Sequence, residues 1–130
     1  MANPGCYTTT SLLALQPILA SQAALNGSII IDAKSGVSGA GRTPQDNTHF
    51  MAVNDNFSPY KIGRSHRHLP ELEAIARTWN ADTPDMIFSP HLLPVPRGIL
   101  ANIYVPLAET TTVEALHKLV RRRLRRRTFS

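Results

Sequence analysis

A chain of 130 residues is the size of one folding domain, long enough to bury a core and short for a two-domain enzyme. With 42% hydrophobic and 18% charged residues it is not a disordered chain, and its longest apolar stretch is interrupted by Gln16, Pro17, Ser21 and Gln22, short of the roughly 20 residues that cross a bilayer. The formal charge of +5 belongs to one end: six of the fourteen Lys and Arg residues lie between Arg121 and Arg127, and without them eight basic residues face nine acidic ones.

One cysteine excludes an internal disulfide, and no basic-then-apolar leader opens the sequence. A cytoplasmic protein with no membrane association is the expectation. Asn3-Pro4-Gly5 predicts a turn, and Leu12, Leu13, Leu15, Ile18 and Leu19 are then spaced for a helix. The hydroxyls of Thr8, Thr9, Thr10 and Ser11 suit the capping of its first amides, and Pro17 predicts a kink or a second helix. Residues 28 to 33 are short and β-branched between Asn26-Gly27 and Ser35-Gly36, and read as a buried strand.

Residues 35 to 43 are too rich in glycine and serine for regular structure but can bring backbone amides close to a ligand. The polar segment up to Tyr60 predicts an excursion over the surface or onto a partner. Leu69, Leu72, Ile75, Ala76 and Trp79 mark one face of a helix that begins after His66-Arg67-His68, with Pro70 in its first turn and Glu71 and Glu73 complementing its positive end. A short strand around Met86 to Phe88 precedes a proline-rich connection through Pro90, Pro94 and Pro96. Alternation from Ile99 to Leu107 predicts a strand with Ile99, Ala101, Ile103 and Val105 on one face. Thr111, three residues before Glu114, forms a capping box for a last helix that ends in arginines. These elements predict an α+β domain: a mixed or antiparallel sheet with helices on one face.

A lone cysteine is more often a small buried hydrophobe than a reactive group. Cys6, however, stands where a glycine turn enters a helix, near unpaired amides and the positive dipole end, the setting that favours a thiolate. A nucleophile of this kind needs a proton-transfer partner, and His66 and His68 are two residues apart and able to face one cleft. Histidines flanking an arginine are otherwise ordinary surface residues, and the remaining histidines show no zinc-ligand spacing, so no metal site is expected. The loop from Gly36 to Gly41 lacks the lysine and helix context of a phosphate-binding P-loop.

In order along the chain, Asn3-Pro4-Gly5-Cys6-Tyr7, then residues 35 to 42, then His66-Arg67-His68 with Pro70-Glu71, then Pro90-His91-Leu92-Leu93-Pro94 with Arg97-Gly98-Ile99, resemble the N-acetyl-γ-glutamyl-phosphate reductases. The four motifs cover residues 3 to about 107. The cysteine motif is shared with aspartate-semialdehyde dehydrogenases and the histidine element is not, whereas relatives acting on an aminoadipyl phosphate are not separated by these motifs.

The resemblance implies a fold like the C-terminal domain of the glyceraldehyde-3-phosphate dehydrogenase-like family, and NADPH-dependent reduction of an acyl phosphate to a semialdehyde in arginine biosynthesis. It gives Cys6 the role of nucleophile and His68 that of acid/base, with His66 or Arg67 holding anionic substrate and Arg42 and Arg97 as further anion contacts. Ser38, Gly39 and Ala40 match the loop that approaches the nicotinamide of NADP. Thr8 stands where the family often has proline.

On this reading residues 1–120 form a catalytic, substrate-binding and dimerisation domain, and 121–130 an arginine-rich tail. A dinucleotide-binding domain is expected to be absent, because no Gly-x-Gly-x-x-Gly turn occurs. Implied partners are a small acyl phosphate, further copies of the chain and a separate cofactor domain, without which the chain is expected to be inactive. The competing reading is a non-catalytic, self-associating remnant whose basic tail binds anions, with nucleic acid a poorer fit to the near-balanced charge of the body.

Overall fold

The computed structural model describes residues 4–108 and 111–125. Pro4 and Gly5 lead into helix α1, Cys6–Leu19, which buries Tyr7, Leu15 and Leu19. Its hydroxyls do not cap its amides as expected. Thr9 and Thr10 donate back to the carbonyls of Gly5 and Cys6, each at 3.0 Å, and Thr8 reaches across to Glu71 Oε2 at 2.9 Å. Once inside a helix, a threonine finds the carbonyl one turn back more readily than a free amide. Pro17 does not start a second helix: it falls in the last turn of α1, the helix ends two residues later, and Gln22 follows with φ 57°.

Strand β1, Ile30–Gly36, outlasts the predicted Ser28 to Ala33 segment because Ser35 and Gly36 stay in register with Leu92 and Leu93. A 3-10 turn, Val37–Ala40, follows, so residues expected to be irregular are ordered. Gly36 is required there, since a Cβ on it would lie 2.7–2.8 Å from main-chain atoms of Arg97. The expected surface excursion contains a short helix, α2 (Phe50–Val53), and a two-residue strand, β2 (Ser58–Pro59). Helix α3 runs His68–Trp79 on the predicted apolar face.

Strand β3, Ile87–Leu93, continues through Pro90, where a connection was expected. The Pro90 carbonyl accepts from Tyr60 N at 3.1 Å, so its missing N–H faces the short edge strand β2 rather than β1, the position a sheet tolerates. Strand β4, Ile99–Tyr104, stops short of the predicted Leu107, which makes only an isolated bridge with Leu25. Helix α4 spans Val113–Arg125, and its start is capped by Thr112, whose Oγ1 accepts from Ala115 N at 3.2 Å, rather than by Thr111. The arginines from 121 to 125 therefore continue a helix; Arg126 and Arg127 lie outside the described residues.

The four strands form a mixed sheet in the order β2-β3-β1-β4, β1 running parallel to β3 and antiparallel to β4. Ile31, Ala33 and Phe88 point from one face into a core closed by Tyr7, Leu15 and Leu19 of α1 and Leu69, Leu72 and Ala76 of α3. Thr8 bonds Glu71 near the starts of α1 and α3, and Gln22 Nε2 reaches the Trp79 carbonyl at their ends, so the two helices lie side by side in the same direction.

Glu73 does not serve the helix dipole as expected. It is buried, accepts from Arg64 at 2.7 and 2.9 Å, and accepts the Met86 amide at 2.9 Å, which ties α3 to the start of β3. The Arg64 bonds hold its carboxyl below the usual glutamate range. That stabilisation is present above the ordinary carboxylate range and is lost as pH falls through the depressed value. Glu73→Leu orphans a buried amide and is expected to cost about 1–3 kcal/mol in urea unfolding. An unchanged midpoint would show that the network carries no stability.

Candidate active site

The site lies where α1 begins. Cys6 is exposed on the first turn, whose amides no side chain caps. Its neighbours across an open cleft of about 650 Å³ are Ser35 at the end of β1, Ser38 and Gly39 on the 3-10 turn, and Gly98-Ile99 at the start of β4. Main-chain bonds hold these walls together: Gly36 N donates to Gly98 O at 2.9 Å, Val37 N to Val95 O at 2.9 Å and Ser38 N to Pro96 O at 3.1 Å. The cleft thus lies at an end of the sheet where β1 and β4 are still paired, beside the start of α1.

His68 reaches the same turn from α3. A side chain on Gly5 would strike its ring, with Cδ2 and Cε1 only 2.6 and 2.7 Å from the Cβ position and Nε2 nearer still. Glycine at 5 lets the imidazole lie against the residue preceding Cys6. The other ring nitrogen, Nδ1, is buried without a hydrogen-bond partner. Burial, then the charge of Arg67, lowers the His68 pKa against a smaller opposing pull from Glu71.

His66 was expected to hold anionic substrate, and the structure gives it different surroundings. It is buried, its Nδ1 accepts the His68 amide at 3.2 Å, and its ring meets those of Tyr7, Tyr60 and Phe88 at centroid distances of 5.7, 5.7 and 5.0 Å. Desolvation, followed by the charges of His68, Lys61 and Arg67, brings its pKa down to about 4. Arg67, Arg42 and Arg97 are all exposed and form no ion pair among the described residues. Arg97 adjoins the cleft through Gly98, and Arg42 follows the turn that carries Ser38, Gly39 and Ala40.

Three neighbours of the site were given no role of their own by the sequence. Tyr60 donates to Tyr7 Oη at 3.0 Å, Tyr7 in turn reaches the His91 carbonyl at 3.4 Å, and Ser35 lines the cleft from a strand end expected to be loop. Tyr7 stands in the cysteine motif, but nothing in the sequence joined it to position 60. Among the described residues no three His, Cys, Asp or Glu side chains gather as metal ligands do, and no helix is long and apolar enough to cross a membrane. The expected Asn3 of the turn lies outside the described residues.

A mixed sheet backed by parallel helices, with a thiol at one helix start and an imidazole at the other, defines a thiol-bearing α+β domain. The family model described as the semialdehyde dehydrogenase dimerisation domain matches residues 6–130, and the chain belongs to that family. It is 47% identical over 119 residues to an N-acetyl-gamma-glutamyl-phosphate reductase of Bacillus mycoides (strain KBAB4), covering 92% of this chain and 34% of the relative. To the protein of the same name from Staphylococcus aureus (strain USA300) it is 48% identical over 120 residues, 92% of this chain and 35% of the relative. To that from Bacillus cereus (strain B4264) it is 44% identical over 119 residues, with 92% and 34% covered. The chain spans about a third of the length of these curated relatives.

The buried His66 makes acid stability the test of this geometry. Its folded pKa lies near 4 and its ordinary value is 6.5, so between these the unfolded chain binds more protons and stability rises with pH. Acidification from neutral pH to the lower end of that window is expected to cost about 1–3 kcal/mol, and His66→Asn to flatten the slope. Urea midpoints measured across the window read it. Parallel slopes for the two proteins would mean that His66 is not held unprotonated.

Proposed function

We propose that this chain supplies the thiolate and the proton-transfer group for the reduction of N-acetyl-γ-glutamyl phosphate to its semialdehyde. The observation that carries the reading is the arrangement of an exposed Cys6 on an uncapped helix start, a cleft in front of it, and His68 seated against the preceding glycine. The names of relatives at 47 and 48% identity agree with it.

In the proposed reaction Cys6 Sγ attacks the acyl carbon, the carbon–sulfur bond forms and phosphate departs with the electrons of the carbon–oxygen bond. The amides at the start of α1 face the charge that develops on the acyl oxygen. NADPH, when bound, supplies the hydride that reduces the thioester. His68 protonates the resulting oxygen and takes that proton back as the centre collapses, when the carbon–sulfur bond breaks, the thiolate leaves with its electrons and the aldehyde is released. Arg67, Arg42 and Arg97, exposed and without ion-pair partners among the described residues, are the groups proposed to meet phosphate and carboxylate.

The residues present fit the reactive end of the cofactor only. Ser38, Gly39 and Ala40 are exposed, and the first two line the cleft with Cys6, which suits close approach of a flat ring. Gly39 lies against Ser35, whose Oγ would be 2.6 Å from a Cβ at position 39. The rest of the dinucleotide would be held by a surface beyond the described residues.

The test is turnover of NADPH with acyl phosphate by the chain supplemented with the cofactor-binding part of a reductase from one of the named relatives. Cys6→Ser is expected to abolish it and His68→Asn to slow it by about 10²–10⁴-fold. Full turnover by Cys6→Ser would sink the proposal.

Self-association is the second part of the reading, and the family description supports it. The sheet face opposite the helices carries Ile87, Ile30 and Tyr104 in one row across β3, β1 and β4, exposed by 50, 37 and 56%. Leu100 lies on the same face, 59% exposed, beside the paired Asp32 and Lys34. An apolar face of this kind is expected to pair with its copy about a twofold axis. Sedimentation should show a dimer converted to monomer by Ile87→Lys with Tyr104→Lys. A dimer unaffected by both changes would place the interface elsewhere.

A further inference from the structure

Of the groups in the site, His66 is the one whose surroundings do not suit chemistry on a substrate. It is 6% exposed, and its Nδ1 is occupied by the His68 amide. That bond requires an unprotonated Nδ1, because a proton there would face the N–H of residue 68. The bond also closes the first amide of α3, for which Arg67 offers no side-chain cap. Helix α3 begins with His68, so whatever fixes its first amide fixes the residue that presents the imidazole.

The packing points the same way. The His66 ring lies 4.8 Å from that of His68 in an edge contact, and Tyr7, Tyr60 and Phe88 surround its remaining sides. Tyr60 and Tyr7 are themselves joined hydroxyl to hydroxyl and tied on to the His91 carbonyl of β3. His66 is therefore a wedge between a fixed aromatic wall and the His68 ring, with Gly5 as the opposite jaw. The charged groups near it, Lys61 in the preceding loop, Arg67 just before α3 and His68 at its start, all oppose its protonation.

We propose that His66 is a positioning residue for His68, capping the first amide of α3 through Nδ1 and pressing the His68 ring against Gly5, and that it neither contacts substrate nor transfers a proton. The proposal rests on the reading of Cys6 and His68 as the reacting pair, and the experiment separates the two. The whole 130-residue chain would be prepared as wild type, His66→Asn, His66→Phe and His68→Asn, with folding checked from amide spectra. Two quantities are read: the nuclear Overhauser contact between the His68 ring and the Gly5 α-protons, and the pH profile of Cys6 alkylation by iodoacetamide.

Asparagine offers an oxygen where Nδ1 stood, so His66→Asn is expected to keep both the contact and the wild-type profile. Phenylalanine fills the space without an acceptor, so His66→Phe is expected to lose the contact and to shift the profile to that of His68→Asn. If His66→Phe does not fold, His66→Met serves as the acceptor-free variant. A contact and profile unchanged in the acceptor-free variant would overturn the proposal. So would a His66→Asn protein that keeps the contact yet shows the altered profile, since the imidazole itself would then be taking part. Should His68→Asn leave the Cys6 profile at wild type, the pairing of Cys6 with His68 fails, while the ring contact still decides whether residue 66 positions residue 68.

Discussion

The missing side chain at Gly5 is the constraint on which the site depends. Helices α1 and α3 start beside each other because the His68 ring occupies the space that a Cβ at position 5 would fill. Thr8 and Glu71 then bond one turn further in, and Gln22 and Trp79 meet at the far ends, so the alignment set at the start persists along both helices. Two parallel helices place their positive ends together, a mildly unfavourable arrangement for packing. The same arrangement sets the uncapped start of α1, which carries Cys6, beside the start of α3, which carries His68, and its cost is offset by the apolar stripe that both helices bury against β1 and β3.

How much of this was legible in the sequence depended on whether a local or a distant partner decided the outcome. Helix α3 was readable from Leu69, Leu72, Ile75, Ala76 and Trp79 because apolar spacing alone determines which face is buried. The face pattern of β4 was readable for the same reason. Glu73 was not, since an acidic residue near a helix start looks like a dipole partner until Arg64 and the Met86 amide are seen to close on it. Residues 35 and 36 look like loop by composition, and become strand only because Leu92, Leu93 and Ile99 pair with them. Cys6 and His68 stood out by position and by family resemblance, whereas the geometric relation between them runs through Gly5, which no spacing rule addresses.

The sheet separates two demands. Its inner face, with Ile31, Ala33 and Phe88 wholly buried, anchors the helices that carry the thiol and the imidazole. Its outer face mixes an apolar row with a polar centre, where Lys34 pairs with Asp32 and His91 stacks on Phe57 at 4.6 Å while its Nδ1 lies 3.2 Å from the Ser89 carbonyl. A charged pair in the middle of an apolar face restricts how a second copy can lie on it, because each charge must find a partner or water. Strand β1 supplies both faces, so the residues that would order an assembly and those that hold the site in place alternate along one strand.

Burial divides the titratable groups of the site by task. Glu73 and His66 are enclosed, and each holds a main-chain amide at an element boundary, Met86 before β3 and His68 at the start of α3. A buried ionisable group that fixes an amide must keep one protonation state, or the boundary loosens with pH; the shifts at both residues are in the direction that preserves the acceptor. Cys6, Arg42, Arg67 and Arg97 are open to solvent. His68 stands between these groups, with one nitrogen without a partner in the core and the other at the glycine that precedes Cys6.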